Sequence, residues 1–160
     1  MAMPVPQTRK DLFLSWRERA RHNQIVHYAG ARQMEMAHTW LGVPAVILSV
    51  VVGSSLFASL AKESNDTLKV LLGVASLAAA ALAGLQSFLG CSEKAAQHQA
   101  LGVAYGRLNR RLESIIASGT EPTADVEDEI RKALDELPSK GPGISQKLWD
   151  DTPKQPKEVP

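Results

Sequence analysis

The sequence predicts an all-α membrane protein: a two-helix transmembrane hairpin extended by long cytoplasmic helices, then a short C-terminal helix and a tail. Three observations predict it. Thr39 to Ala61 and Val70 to Cys91 are runs of 23 and 22 residues without a charged side chain. Only eight residues, Lys62 to Lys69, separate them. The segments on either side are charged and carry apolar residues at helical spacing.

Composition narrows the choices further. A chain of 160 residues suits a single fold. The formal net charge of +1, with no interleaving of basic and aromatic residues, speaks against nucleic acid as a partner. Cys91 is the one cysteine, which excludes an internal disulfide or a thiolate metal cluster. The first long apolar run begins near residue 39, too late for the core of a signal peptide.

Met1 to Gln7, with Pro4 and Pro6, reads as a flexible start. Thr8 to His38 contains no proline, and Leu12, Trp16, Ala20, Ile25 and Val26 form an imperfect apolar stripe, so an amphipathic helix is expected. The first apolar run, as a helix, is roughly 34 Å long at 1.5 Å per residue, enough for a hydrocarbon core of about 30 Å. Trp40 sits where an interfacial aromatic anchor belongs. In "WLGVP", Pro44 lacks the N–H that would bond to Trp40 and Gly42 precedes it, so a bend between cytoplasmic and membrane helices is expected there.

"KESNDTLK" is the connecting turn, and a second span of about 70–91 returns the chain. Arg19, Arg21 and Arg32 lie before the first span, and Lys94, Arg107, Arg110 and Arg111 follow the second. The turn holds only Lys62 and Lys69, which places both termini on the cytoplasmic side. Ser92 to Ser118 should continue the second span as one long helix ended by Gly119. Thr123 to Leu137 reads as a separate acidic helix with Thr123 as N-cap, the stripe Val126, Ile130, Leu134, and a stop at Pro138. The expected organisation is thus a two-span helical domain over 8–119 and an acidic helix with a flexible tail over 120–160. Ile144, Leu148 and Trp149 are the tail residues able to dock.

No P-loop, dinucleotide fingerprint, nucleophile elbow or HExxH arrangement occurs, so an enzyme is not expected, nor a cofactor or resident metal. A site built from His22, His27 and His98 across packed helices is the one metal arrangement that the histidines permit. The chemistry of interest lies in the spans. Gly42, Ala45, Ser49 and Gly53 share one face of the first. Ser76, Ala80 and Gly84 repeat every fourth position of the second, with Ala79, Ala83 and Ser87 beside them. Such rows let helix backbones approach closely in lipid, within the hairpin or between subunits. Neither span carries an ionisable residue, and Gln86 is the most polar side chain in them. Gln86 either lines an aqueous path in an oligomer or hydrogen-bonds between helices. Gly42, Pro44, Ser49, Gly53, Ser76, Ala80, Gly84 and Gln86 are therefore the candidate packing and pore residues.

The order of a charged helix, "HTWLGVPAVILSVVVGSSLF", a short turn, "LAAAALAGLQSFLGCSEKAAQH" and "AYGRLNRRLE" resembles the SLATT domain, the SMODS and SLOG-associating two-transmembrane effector of bacterial conflict systems. The similarity covers roughly Asp11 to Gly119 and rests on "WLGVPA", "GLQ" near the end of the second span, and His98 after it. The resemblance implies a homo-oligomeric effector that perforates or depolarises the bacterial inner membrane when a nucleotide-signalling or sensor partner detects infection. It supplies no catalytic residues. The alternative function from the same residues is a non-conducting anchor or scaffold that recruits a cytoplasmic partner. A holin-like lysis protein fits the paired spans but not the extensive helical flanks.

Overall fold

The computed structural model describes residues 6–60 and 66–153, and all regular structure among them is helical. The first residues of the expected flexible start, the first half of the connecting turn and the end of the tail lie outside the described residues, and Asp66 to Lys69 of the expected turn belong to a helix.

Helix α1 (Arg9–Leu60) begins at a reciprocal cap. The Asp11 N–H donates to Thr8 Oγ1 and the Thr8 N–H donates to Asp11 Oδ2, both at 3.1 Å. The chain stays helical through "WLGVP": α1 runs for 52 residues and contains Pro44. Proline removes one rung of the hydrogen-bond ladder, and the intact turns on either side carry the helix through it.

Helix α2 (Asp66–Leu89) and helix α3 (Cys91–Ala117) replace the single long helix expected after the turn. Gly90 separates them with φ +56°, a left-handed conformation that glycine adopts without the steric cost a Cβ brings. Gly119 closes α3 in the same way at φ +65°, its N–H donating to the Ile116 carbonyl at 3.4 Å. Helix α4 (Ala124–Glu136) has Thr123 at its N-cap in extended conformation, although the hydroxyl makes no cap bond. A 3₁₀ turn, Leu137–Lys140, follows. The described part of the tail contains a further short helix, which carries Leu148 and Trp149, two of the residues able to dock. Helix α5 (Gln146–Asp151) is capped by Ser145, whose Oγ accepts from the Leu148 N–H at 3.3 Å.

The described residues fall into two compact units, one formed by 6–32 and 94–153 and the other by those within 33–93. Helix α4 helps to build the core of the first unit. Phe13, Trp16 and Ala20 of α1, Tyr105, Leu108 and Leu112 of α3, and Ile130 and Leu134 of α4 are all buried in one cluster. The Phe13 and Trp16 rings lie 5.3 Å apart. Arg111 grips Glu129 through two nitrogens at 2.5 and 2.6 Å, and Arg9 reaches Glu127 at 3.5 Å, so α4 is pinned to both α3 and α1. These pairs are exposed and fix register more than they stabilise. Between α1 and α3 the approach is close. A Cβ at Gly102 would stand 2.9 Å from the Tyr28 ring, and one at Gly106 would stand 2.8 Å from the Gln24 amide.

Leu112 is wholly buried at the centre of this cluster. Leu112→Ala should lower the unfolding free energy by about 2–5 kcal/mol through lost burial and a residual cavity. Arg110→Ala, on the exposed side of the same helix, should change it by no more than about 0.5 kcal/mol. Denaturant unfolding of the detergent-solubilised protein, followed by tryptophan fluorescence, measures both.

Candidate functional site

The unit formed by residues 33–93 is the apolar hairpin. On α1 the series His38, Leu41, Ala45, Leu48 and Val52 is withdrawn from the surface, with Gly42, Pro44 and Gly53 beside it; on α2 the series is Leu72, Ala75, Ala79, Leu82 and Gln86. Both sets step by three and four, the spacing of two helices packed along one narrow seam. Ala45 and Ala79 are the fully buried members, and their short side chains permit close approach.

One end of the seam is polar. The Gln86 amide nitrogen lies 3.1 Å from His38 Nδ1 and 3.3 Å from His38 Nε2, so Gln86 donates to whichever ring nitrogen is unprotonated. The same amide covers Gly42, where a Cβ would stand 2.9 Å from Gln86 Nε2. A shallow cleft of about 410 Å³ opens beside this contact, with His38, Gly42, Val46 and Gln86 in its walls. Of the two roles open to Gln86 in the sequence, the structure gives it an interhelical hydrogen bond within one chain. His38 was not among the candidates.

The other candidates separate by face. Pro44 is half-buried next to the seam. Ser49 is exposed and its hydroxyl donates to the Ala45 carbonyl at 2.8 Å. Gly53 has no described neighbour within 4 Å of where a Cβ would stand, and neither has Gly84. Ser76, Ala80 and Gly84 are all exposed, as are Ala83 and Ser87. The Ser76 hydroxyl turns back to the Leu72 carbonyl at 2.8 Å. The rows of small residues on α2 therefore lie outside the seam, apart from Ala79. Trp40 is 78% exposed.

The remaining surface is apolar. Val43, Val46, Ile47 and Val50 of α1 are exposed, and so are Val70, Leu71, Val74, Leu77, Leu85 and Phe88 of α2. Both helices are long and apolar enough to cross a membrane, and only 6% of the apolar window in each is buried.

The unit of residues 6–32 and 94–153 holds a second polar cluster. His27 and His98 are buried with their Nδ1 atoms 2.9 Å apart. Tyr105 stacks on His27 at 5.5 Å between ring centroids. Burial, together with the neighbouring His98, pushes His27 down to about 4. Burial also lowers His98 and raises Tyr105. A cleft of about 370 Å³ lies over this cluster, bordered by Arg19, His27, Tyr105, Asp135, Pro142 and Ile144. His22 stands apart from the pair. Its ring meets Trp149 of α5 edge-on at 4.3 Å, so the three histidines do not converge. Among the described residues no group of three or more His, Cys, Asp or Glu is placed to hold a metal ion.

No protein-family model, curated protein or solved structure matches this chain.

Gly42 and Gly84 offer a direct comparison of seam and outer face. Gly42→Leu should destabilise the hairpin by about 1–3 kcal/mol, since the added side chain must displace Gln86 from His38. Gly84→Leu should leave hairpin stability within about 0.5 kcal/mol. Thermal unfolding of each variant in detergent, followed by circular dichroism, reads the difference.

Proposed function

We propose that this protein is a multi-pass protein of the bacterial inner membrane, with both termini cytoplasmic, whose hairpins assemble as a homo-oligomeric pore or channel. The observation that carries the membrane reading is the exposed apolar surface of α1 and α2. Full burial of each such Val, Leu, Ile or Phe is worth roughly 1.5–3 kcal/mol. Summed over the exposed side chains of the hairpin, the cost of leaving them in water exceeds the whole stability of a typical domain, about 5–15 kcal/mol. Lipid removes that cost. The internal bonding of Ser49, Ser54 and Ser76 supports the same reading, since each hydroxyl donates to a carbonyl of its own helix and asks nothing of its surroundings.

Assembly is supported by the outer face of α2. Ser76, Ala80, Gly84 and Ser87 recur at spacings of four and three on a surface that the hairpin leaves uncovered. In lipid, helix association depends on close backbone contact, and small residues provide it. Gln86 is engaged with His38 inside the seam, so the lining of a pore falls to this small-residue face. The resemblance to SLATT effectors adds the context: a conflict system such as anti-phage defence, in which a nucleotide-signalling or sensor protein triggers opening. No enzymatic step belongs to this reading.

The second reading, a membrane anchor or scaffold without conductance, is favoured by one observation. The amide that would most readily line a water path is spent on a contact within the chain.

Purified protein reconstituted in liposomes tests the choice. The pore reading expects ion flux, alone or on addition of cyclic nucleotides, and expects Gly84→Leu to reduce it at least roughly tenfold while the protein remains inserted. Flux absent under every condition sinks the pore and leaves the anchor. Extraction from membranes by alkaline carbonate without detergent would sink both.

A further inference from the structure

We propose that the His27–His98 pair is a proton-operated latch, which holds α1 to α3 while the two rings share a single Nδ1 proton and releases them on acidification. The inference concerns the unit outside the hairpin and does not depend on conductance.

The geometry sets the rule. Two Nδ1 atoms 2.9 Å apart form one hydrogen bond, in which one ring donates and the other accepts. The neutral pair therefore needs opposite tautomers: one ring protonated at Nδ1, the other at Nε2. One extra proton on the pair still leaves a lone pair to accept. A second puts N–H groups head to head and two positive charges in a buried site, and the rings must separate.

Nothing nearby absorbs that charge. Among the described residues, no carboxylate hydrogen-bonds either ring. From α1, Arg19 borders the cleft over His27 and is itself cationic. From α3, Tyr105 stacks on His27, and burial keeps its hydroxyl protonated. From α4, Asp135 is the one carboxylate at the cleft, and it is exposed to solvent. The segment after α4 contributes Pro138, Pro142, Gly143 and Ile144 to the cleft, none of them charged.

Separation of the rings would be felt locally, because the packing around them is tight. A Cβ at Gly30 would stand 3.2 Å from the His98 ring, so α1 lies directly on that imidazole. His27 rests on Tyr105, which belongs to the core shared with α4. A latch that opens here loosens the α1–α3 contact from residues 27–30 toward the core.

The direction of the pH dependence follows from burial. His27 is held near 4 against an ordinary 6.5, so the unfolded or opened chain binds more protons than the closed one across that window. Stability of the closed pair is present above about pH 6.5 and is lost as the pH falls from there toward 4.

Hydrogen exchange of the full chain in lipid nanodiscs, read by mass spectrometry at about pH 7.5 and about pH 5 and corrected for intrinsic rates, tests the latch. Segments 22–32 and 95–106 should lose protection by roughly tenfold or more at the lower pH, while 72–82 of α2 should not. The double variant His27→Gln, His98→Gln keeps a neutral amide pair and should show no such loss. Protection in the wild type that is independent of pH, or an equal loss in the double variant, overturns the proposal. Should the double variant fail to fold by circular dichroism, ¹⁵N imidazole spectra of the wild type decide, with resonances assigned through His22→Asn and His38→Asn. Opposite tautomers for His27 and His98 at neutral pH support the latch. Identical tautomers, or two rings titrating near 6.5, exclude it.

Discussion

Two helices can bury only one stripe of each other, and the hairpin of this protein has far more apolar surface than one stripe. The seam through Ala45 and Ala79 takes up the residues that step by three and four. Most other described residues on α1 between 39 and 54 and on α2 are exposed, many of them aliphatic. That geometric shortfall constrains the rest. It leaves an apolar surface that lipid or a partner surface would cover. Ser49, Ser54 and Ser76 each donate to the carbonyl four residues back in their own helix, which satisfies those hydroxyls whatever surrounds them.

The other unit is built on the opposite economy. It has a closed core with aromatic rings from α1 and α3 and a lid of aliphatic residues from α4. Glycines at 102 and 106 admit Tyr28 and Gln24 against the backbone of α3. After α4 the chain crosses α3 closely enough that a Cβ at Gly141 would stand 2.5 Å from Leu101 Cδ1. It then places Trp149 on His22. Such a region can be ordered without long periodic helices, because the anchoring is done by single side chains at fixed points.

That difference accounts for what could be read from the sequence. Absence of charge over more than twenty residues is a strong and local signal, so the two apolar helices and the acidic helix α4 were legible. Helix boundaries that depend on one backbone conformation were not. Gly90 breaks the chain between α2 and α3 by a positive φ, yet a glycine within an apolar run is equally compatible with an unbroken helix. Pro44 lies within α1, and a proline signals only the loss of one hydrogen bond, which the neighbouring turns can bridge. The docking of α5 depends on a ring contact across more than a hundred residues. The division between seam and outer face was also hidden. Small residues populate several faces of α2, and only the register set by the turn selects Ala79 for the seam over Ala80.

The polar groups of the hairpin also limit what an assembly of it can discriminate. Neither apolar run contains an Asp, Glu, Lys or Arg, and the one amide is engaged with His38. A pathway lined by this hairpin would therefore have no fixed side-chain charge within the apolar zone. Channels select by rings of charge, by ordered carbonyls, or by constrictions that dewet. The first is excluded by composition. The second requires backbone free of helical bonding, and α1 and α2 are helical throughout their described apolar residues. What remains is a constriction of small and aliphatic side chains whose width decides whether water enters. Under the proposed reading, opening is a change in helix spacing and the open state discriminates weakly among small ions. Weak selectivity suits a protein whose task is to dissipate a gradient, and it would be poor design for one that must carry a particular ion.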